Sequence, residues 1–219
     1  MKYYSRFFIF VICFFAFLAQ GALASDDCAG EQLTDPIIDV TFDYGKVIYN
    51  NKKSNKEFPA MPYDQTRGLT VTNLSQNLMA DGWVKRRADG KYCMGLKRVS
   101  GTIGFGRIDV FIDKRYRPGS CNYNVIKEHE KYHVRVQQEG LKAFTPKIKK
   151  ALQIAANKQK PRLVNSSQQL QQQADQMLIS VQKEIAPLMN YVQKQLKQKN
   201  AVIDTDDSYK TETKRCKSW

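Results

Sequence analysis

The chain has 219 residues, with 35 Lys and Arg against 21 Asp and Glu, a net charge of +14, and only two histidines. This length builds one sizeable core with room for a helical appendage. The basic excess points to anionic partners such as envelope polymers or lipid headgroups, or simply to a solvated basic C-terminal half; without an aromatic-basic binding motif, nucleic acid is excluded as a partner.

The N-terminus reads as a secretion signal. Lys2 and Arg6 precede an apolar run from Phe7 to Leu18, and Ala22-Leu23-Ala24 offers a cleavage site before Ser25. The run is short for a membrane span, and none comparable follows. The expectation is an exported protein, periplasmic or secreted, that is not transmembrane once residues 1–24 are removed. That segment holds two basic residues and no acidic ones. The remaining 195 residues therefore carry 33 basic against 21 acidic side chains, a net +12. They also keep four cysteines, Cys28, Cys93, Cys121 and Cys216, an even number that reads as two disulfides with three possible connectivities. The pairing Cys93–Cys121 with Cys28–Cys216 is favoured, since it ties a strand to a helix start and joins the termini.

Strands and turns come first. Ile38, Val40 and Phe42 alternate with Asp39, Thr41 and Asp43, the period-two pattern of a half-buried strand. Val47 to Tyr49 is expected to pair with it across Gly45. Residues 50–62 read as a loop, and Leu69 to Thr72 as a short strand. Asn73 caps an expected short helix through Leu78 and Met79 that ends at Gly82. A hairpin-like region from Tyr92 to Phe105 and a clear strand from Ile108 to Ile112 follow. After the turn Arg117-Pro118-Gly119-Ser120, a helix capped by Asn122 or Asn124 is expected.

The second half reads as helical. Thr145-Pro146 resembles an N-cap and first helical position, starting a new short helix through Ala156. Ser166 or Ser167 caps a long Gln-rich helix to about Lys197, interrupted at Pro187. The segment from Asp204 to Trp219 is a polar tail, mobile unless Cys216 is bonded. The fold class is therefore α+β: an N-terminal, mostly antiparallel sheet packed on a central helix, followed by a helical C-terminal half.

Both histidines lie in the string His129-Glu130-Lys131-Tyr132-His133, an H-E-x-x-H pattern. At about 100° per residue, Val125, Ile126, His129, His133, Val136 and Gly140 share one stripe, with Glu130 at its edge. A single histidine on an apolar face is ordinarily just packed; a pair at i and i+4 with an adjacent glutamate points to zinc. The stretch IDVFIDKRYRPGSCNYNVIKEHEKYHVRVQQEGLKAF, residues 108–144, resembles the zincin metallopeptidases. More loosely, it looks like small exported bacterial proteins described as zinc-dependent proteases.

The resemblance implies that His129 and His133 bind zinc, and that Glu130 is the general base for a zinc-activated water attacking a peptide or protein substrate. It also implies a zincin-like domain over residues 25–160, long helix packing over 161–203, and the tail over 204–219. A third ligand cannot be histidine. The downstream carboxylates are Glu139, Asp175, Glu184, Asp204, Asp206, Asp207 and Glu212. Glu139 has the metzincin count, but Val136 stands where that family has a glycine. Glu184 suits the plan in which a glutamate on a later helix completes the site and is the favoured third ligand, ahead of Asp175. Tyr191 and Arg135 are candidates for stabilising an oxyanion. The competing reading is a non-enzymatic, disulfide-stapled protein whose basic helices bind an anionic surface or partner.

Overall fold

The computed structural model describes residues 28–31, 34–59 and 66–219, so the expected signal at residues 1–24 lies outside the described residues. The protein is α+β, with seven strands in two mixed sheets and three α-helices among the described residues. In the first sheet the central strand is β5 (Tyr92–Gly104). It pairs in parallel with β1 (Ile37–Asp43) and antiparallel with both β4 (Ser75–Arg86) and β7 (Arg162–Val164). In the second, β6 (Arg107–Ile112) lies between β2 (Lys46–Asn50), parallel to it, and β3 (Gly68–Thr72), antiparallel. The segment after β1 thus pairs with β6 rather than folding back on β1 as expected.

Two local readings yield to tertiary pairing. Residues 75–86, expected to include a short helix, form the long strand β4, where Leu78 and Trp83 are buried and the other side chains are more open. Gly82 marks a register shift in the β4–β5 ladder instead of a helix stop. Cross-strand partners and burial, not the cap-like Asn73, decide this segment. Likewise the hairpin-like region around Gly95 and Gly101 is one continuous strand, β5.

The helices are longer than their punctuation suggests. Helix α1 runs unbroken from Cys121 to Asn157, 37 residues, or about 55 Å. Its N-cap is Ser120, whose side chain accepts from the Tyr123 amide, rather than Asn122 or Asn124. Pro146 sits inside it, with Thr145 donating to the Leu141 carbonyl one turn back. Burial of Leu141, Ile148 and Leu152 on both sides of Pro146 carries the helix through. Helix α2 (Leu170–Ala201) passes Pro187 in the same way, anchored by Val181, Ile185 and Met189. A third helix, α3 (Asp206–Thr213), occupies the segment read as a tail.

The main core joins both sheets to the buried faces of α1 and α2. The two helices run antiparallel, as three cross-contacts at successive levels show: Lys158 with Glu184, Gly140 with Leu196, and His133 with Asn200. At the middle level a Cβ on Gly140 would sit 2.2 Å from Leu196 Cδ2. Glycine there lets the helices close up two turns from His133, and so brings the C-terminal end of α2 beside the histidines. Among the described residues no helix is long and apolar enough to cross a membrane.

The disulfides are Cys28–Cys93 and Cys121–Cys216, which corrects the favoured pairing. Cys93 is fully buried on β5 and packs with Cys28 and Trp83 in a small cluster of its own. Cys121 instead opens α1 at the surface, where the C-terminal segment returns to meet it. Pairing was decided by strand geometry and chain return, which spacing alone does not encode.

Candidate metal centre

The i and i+4 spacing on α1 turns both imidazoles to the same side, with His129 Nε2 and His133 Nε2 3.1 Å apart. The residue that meets them is Asp204, just beyond the end of α2. Its Oδ1 lies 3.0 Å from His129 Nε2 and 3.1 Å from His133 Nε2. These three donor atoms form a nearly equilateral triangle. In a tetrahedral zinc site with bonds of about 2.0–2.1 Å, ligand atoms sit about 3.3 Å apart, so the observed edges match to a few tenths of an ångström.

The outer nitrogens say which way the imidazoles face. His129 Nδ1 lies 2.7 Å from Glu212 Oε1, and His133 Nδ1 lies 2.9 Å from Asn200 Oδ1. Asn200 is oriented by its own Nδ2, which donates to the Leu196 carbonyl, leaving its oxygen for the histidine. Both Nδ1 atoms therefore donate. In a neutral imidazole the proton on Nδ1 leaves the Nε2 lone pair bare. Two lone pairs and a carboxylate oxygen then converge on one point, an arrangement that could hold a cation. Outer partners that fix tautomer and ring orientation in this way are the usual companions of metal-ligating histidines.

The charges agree. Burial opposes a charge on His129, but Asp204, Glu130 and Glu212 outweigh it and lift its pKa to about 9. Burial likewise opposes a charge on His133, and Asp204, Glu130 and Asn200 again outweigh it, raising the pKa. Asp204 is driven well below the usual carboxylate range, because the two imidazoles overcome the effect of its partial burial. Without a metal, protons do the neutralising.

Glu130 stands next to this triangle and is not part of it. It is 3% exposed, and burial pushes its carboxyl up against the opposing pull of Thr70 and the histidines. Thr70 on β3 donates to Glu130 Oε2 at 2.6 Å, and Gly68 on the same strand leaves room for the other oxygen. Tyr209 from α3 stacks on the His129 ring at 5.2 Å and donates its hydroxyl to Asp204 Oδ1 at 2.8 Å. Glu130, His133, Asp204 and Tyr209 all line a cleft of about 1180 Å³ whose walls are β3, the end of α2, and α3.

Of the residues singled out from sequence, His129, Glu130 and His133 come together here. Glu184 does not. It is at the surface, paired with Lys158 at 2.6 Å, and the third donor at the histidines is Asp204. The reason is position along the helix: Glu184 lies at the level of Lys158, at the far end of α1, while α2 reaches the histidines only after Leu196. Glu139 is exposed on α1, and exposed Asp175 accepts from Gln171. Tyr191 packs on Phe144 and Arg135 over Tyr132, both exposed side chains away from the triangle. Asp204 and Glu212 both stand among the downstream carboxylates of the sequence but were passed over, and Asn200 and Tyr209 were missed. The one signal available was Cys216: bonded to Cys121, eight residues before His129, it brings the tail back over the metal helix.

No protein-family description, curated protein or solved structure matches this chain.

Proposed function

We propose that this protein is a zinc-dependent peptidase in which His129, His133 and Asp204 hold the metal. The observation that carries the reading is the triangle of converging donor atoms, with an acceptor behind each Nδ1. A bound zinc would supply Lewis acidity toward a peptide carbonyl and lower the pKa of water to about 7.

The chain's own groups take the remaining roles. Glu130, held by Thr70 and with its pKa raised by burial, is the carboxylate that would accept a proton from water and return it to the leaving amine. Tyr209, in place of Tyr191 or Arg135, is the hydroxyl beside the donor triangle; it donates to Asp204 here and would have to turn from it to meet charge developing on a substrate carbonyl. The cleft exceeds the ~300–1,000 Å³ usual for small-molecule sites, which favours a stretch of polypeptide as the occupant. Two disulfides fit an oxidising compartment and so support export.

Metal content of the oxidised protein is the test. Wild type should hold about one zinc per chain, His133→Ala and Asp204→Ala should lose it, and Glu184→Ala should keep it. Glu130→Gln should keep zinc and lose peptide hydrolysis. A folded wild-type chain that takes up no zinc when zinc is supplied would end this reading. The basic-surface reading would then lead, resting on the absence of Asp and Glu from residues 141–173 and on the exposed lysines of α1 there.

A further inference from the structure

We infer that the C-terminal segment, residues 202–219, is a removable strap of the metal centre, and that the Cys121–Cys216 disulfide is the clasp that keeps it closed. The inference rests on the metal reading above and concerns how the site is assembled. Three groups around the histidines come from this strap: Asp204 on both Nε2 atoms, Tyr209 stacked on His129, and Glu212 on His129 Nδ1. Half of the centre is therefore supplied from a segment more than seventy residues downstream of the histidines themselves.

Little else holds that segment down. α3 has eight residues and none of them is buried. A helix of that length is not stable by itself in water, and with no apolar face in the core it gains nothing from burial. Its flanking contacts are mostly polar and open, apart from buried Cys216 and the Trp219 ring, which meets Tyr116 edge-on at 6.0 Å. Arg215 pairs with Glu128, both about half exposed, which contributes little. Asn122 donates to the Ser218 carbonyl, and the Trp219 ring lies under the Arg67 guanidinium. The covalent link at Cys216 is the firm attachment. It joins the strap to the first residue of α1, two turns before His129. With it closed, the strap is tethered at both ends, by α2 and by α1, and Asp204 and Glu212 are presented at high effective concentration.

The two disulfides differ in access. Cys28 and Cys93 are 1% and 0% exposed and packed on Trp83, whereas Cys216 is 9% exposed and its partner Cys121 lies at the surface. A reductant therefore reaches the clasp first. The step is an ordinary exchange: a dithiol donor gives two electrons and two protons, becomes a disulfide itself, and leaves Cys121 and Cys216 as thiols. The strap then loosens, Asp204 and Glu212 leave His129, and the metal is released. Conversely, a chain still in a reducing compartment lacks the closed centre, and the site completes only after oxidation.

The test uses the full chain from Ser25, loaded with zinc, and a chromogenic chelator to read free zinc. A trialkylphosphine is the reductant, since thiols themselves bind zinc. It takes the oxygen of water, becomes the phosphine oxide, and leaves two thiols per disulfide. Zinc release should follow the appearance of thiols at Cys121 and Cys216, mapped by alkylation, while helix content by circular dichroism is kept. The Cys121→Ser/Cys216→Ser variant, which has no thiol to rebind metal, should bind zinc at least ~10-fold more weakly than wild type, the low end for loss of an outer partner. Cys28→Ser/Cys93→Ser should lose thermal stability, keep its zinc, and remain sensitive to the phosphine, which separates clasp from general staple. The inference is overturned if the clasp-free variant binds zinc as tightly as wild type, or if wild type keeps zinc with both clasp cysteines alkylated. Absence of zinc from untreated wild type would instead overturn the metal reading itself.

Discussion

Replacing Gly68 by alanine adds one methyl group beside the proposed general base and touches none of the metal donors. The φ of Gly68 is outside the left-handed region, so its backbone accepts alanine without strain. The new Cβ would lie 2.5 Å from Glu130 Oε1, 2.7 Å from Ile126 Cγ2 and 3.0 Å from Glu130 Cδ, whereas ordinary contact begins at 3.4 Å. The carboxylate oxygen must therefore retreat by about 0.9 Å, and it cannot simply swing aside because its partner oxygen is held by Thr70 at 2.6 Å. Misplacing a catalytic group by about 1 Å costs on the order of 100-fold in rate, or ~2.7 kcal/mol of transition-state stabilisation. Overpacking against buried Ile126 adds a folding cost of about 1–3 kcal/mol. Gly68→Ala is thus expected to keep about one zinc per chain, melt a few degrees lower, and lose about 100-fold in kcat/KM on a fluorogenic peptide. Retention of zinc together with wild-type kcat/KM would refute Glu130 as the base in this geometry.

Four further outcomes follow from the same contacts. Thr70→Val removes the hydroxyl that lowers the Glu130 pKa, so the acidic limb of the pH–rate profile should move to higher pH; an unmoved limb would separate Thr70 from the base. Asn200→Ala and Glu212→Ala should each weaken zinc about 10–100-fold in competition titrations, through loss of the acceptor behind each imidazole, and unchanged affinity would count against the tautomer argument. Zinc binding at pH 7 should release roughly one to two protons, because protonated imidazoles must give way to the metal, so affinity should climb with pH toward about 9. In the metal-free chain the raised His129 pKa stabilises the fold fully below its unfolded value of 6.5. That contribution is lost as pH rises through about 9, so the melting temperature of the metal-free form should fall across this window. The zinc-loaded form should lack that fall; parallel profiles for the two forms would contradict it.

The sequence by itself determined the features that depend on neighbours a few residues apart. The H-E-x-x-H string needs only helix geometry to put two imidazoles on one side with a carboxylate next to them, so His129, Glu130 and His133 were legible as a unit. Alternation marked β1, and β-branched runs marked β3 and β6. The even cysteine number correctly indicated two disulfides, and the order of strand-like and helix-like stretches indicated an α+β fold. Tertiary structure decided everything that joins distant segments. Asn73 and Thr145-Pro146 carry sound local signals for helix starts, yet β4 pairs along its whole length with β5, and α1 passes through Pro146 because its flanking turns are buried. Glu184 lay near the border of an apolar stripe and so looked directed at the metal, but the antiparallel packing of α1 and α2 sets it opposite Lys158. Asp204, Tyr209 and Glu212 sit in a polar segment with no periodicity to distinguish them, and the α1–α2 packing together with the Cys121–Cys216 link brings them onto His129. Local pattern reports which side of an element a residue occupies; which element faces it depends on long-range closure, and no short window of sequence carries that.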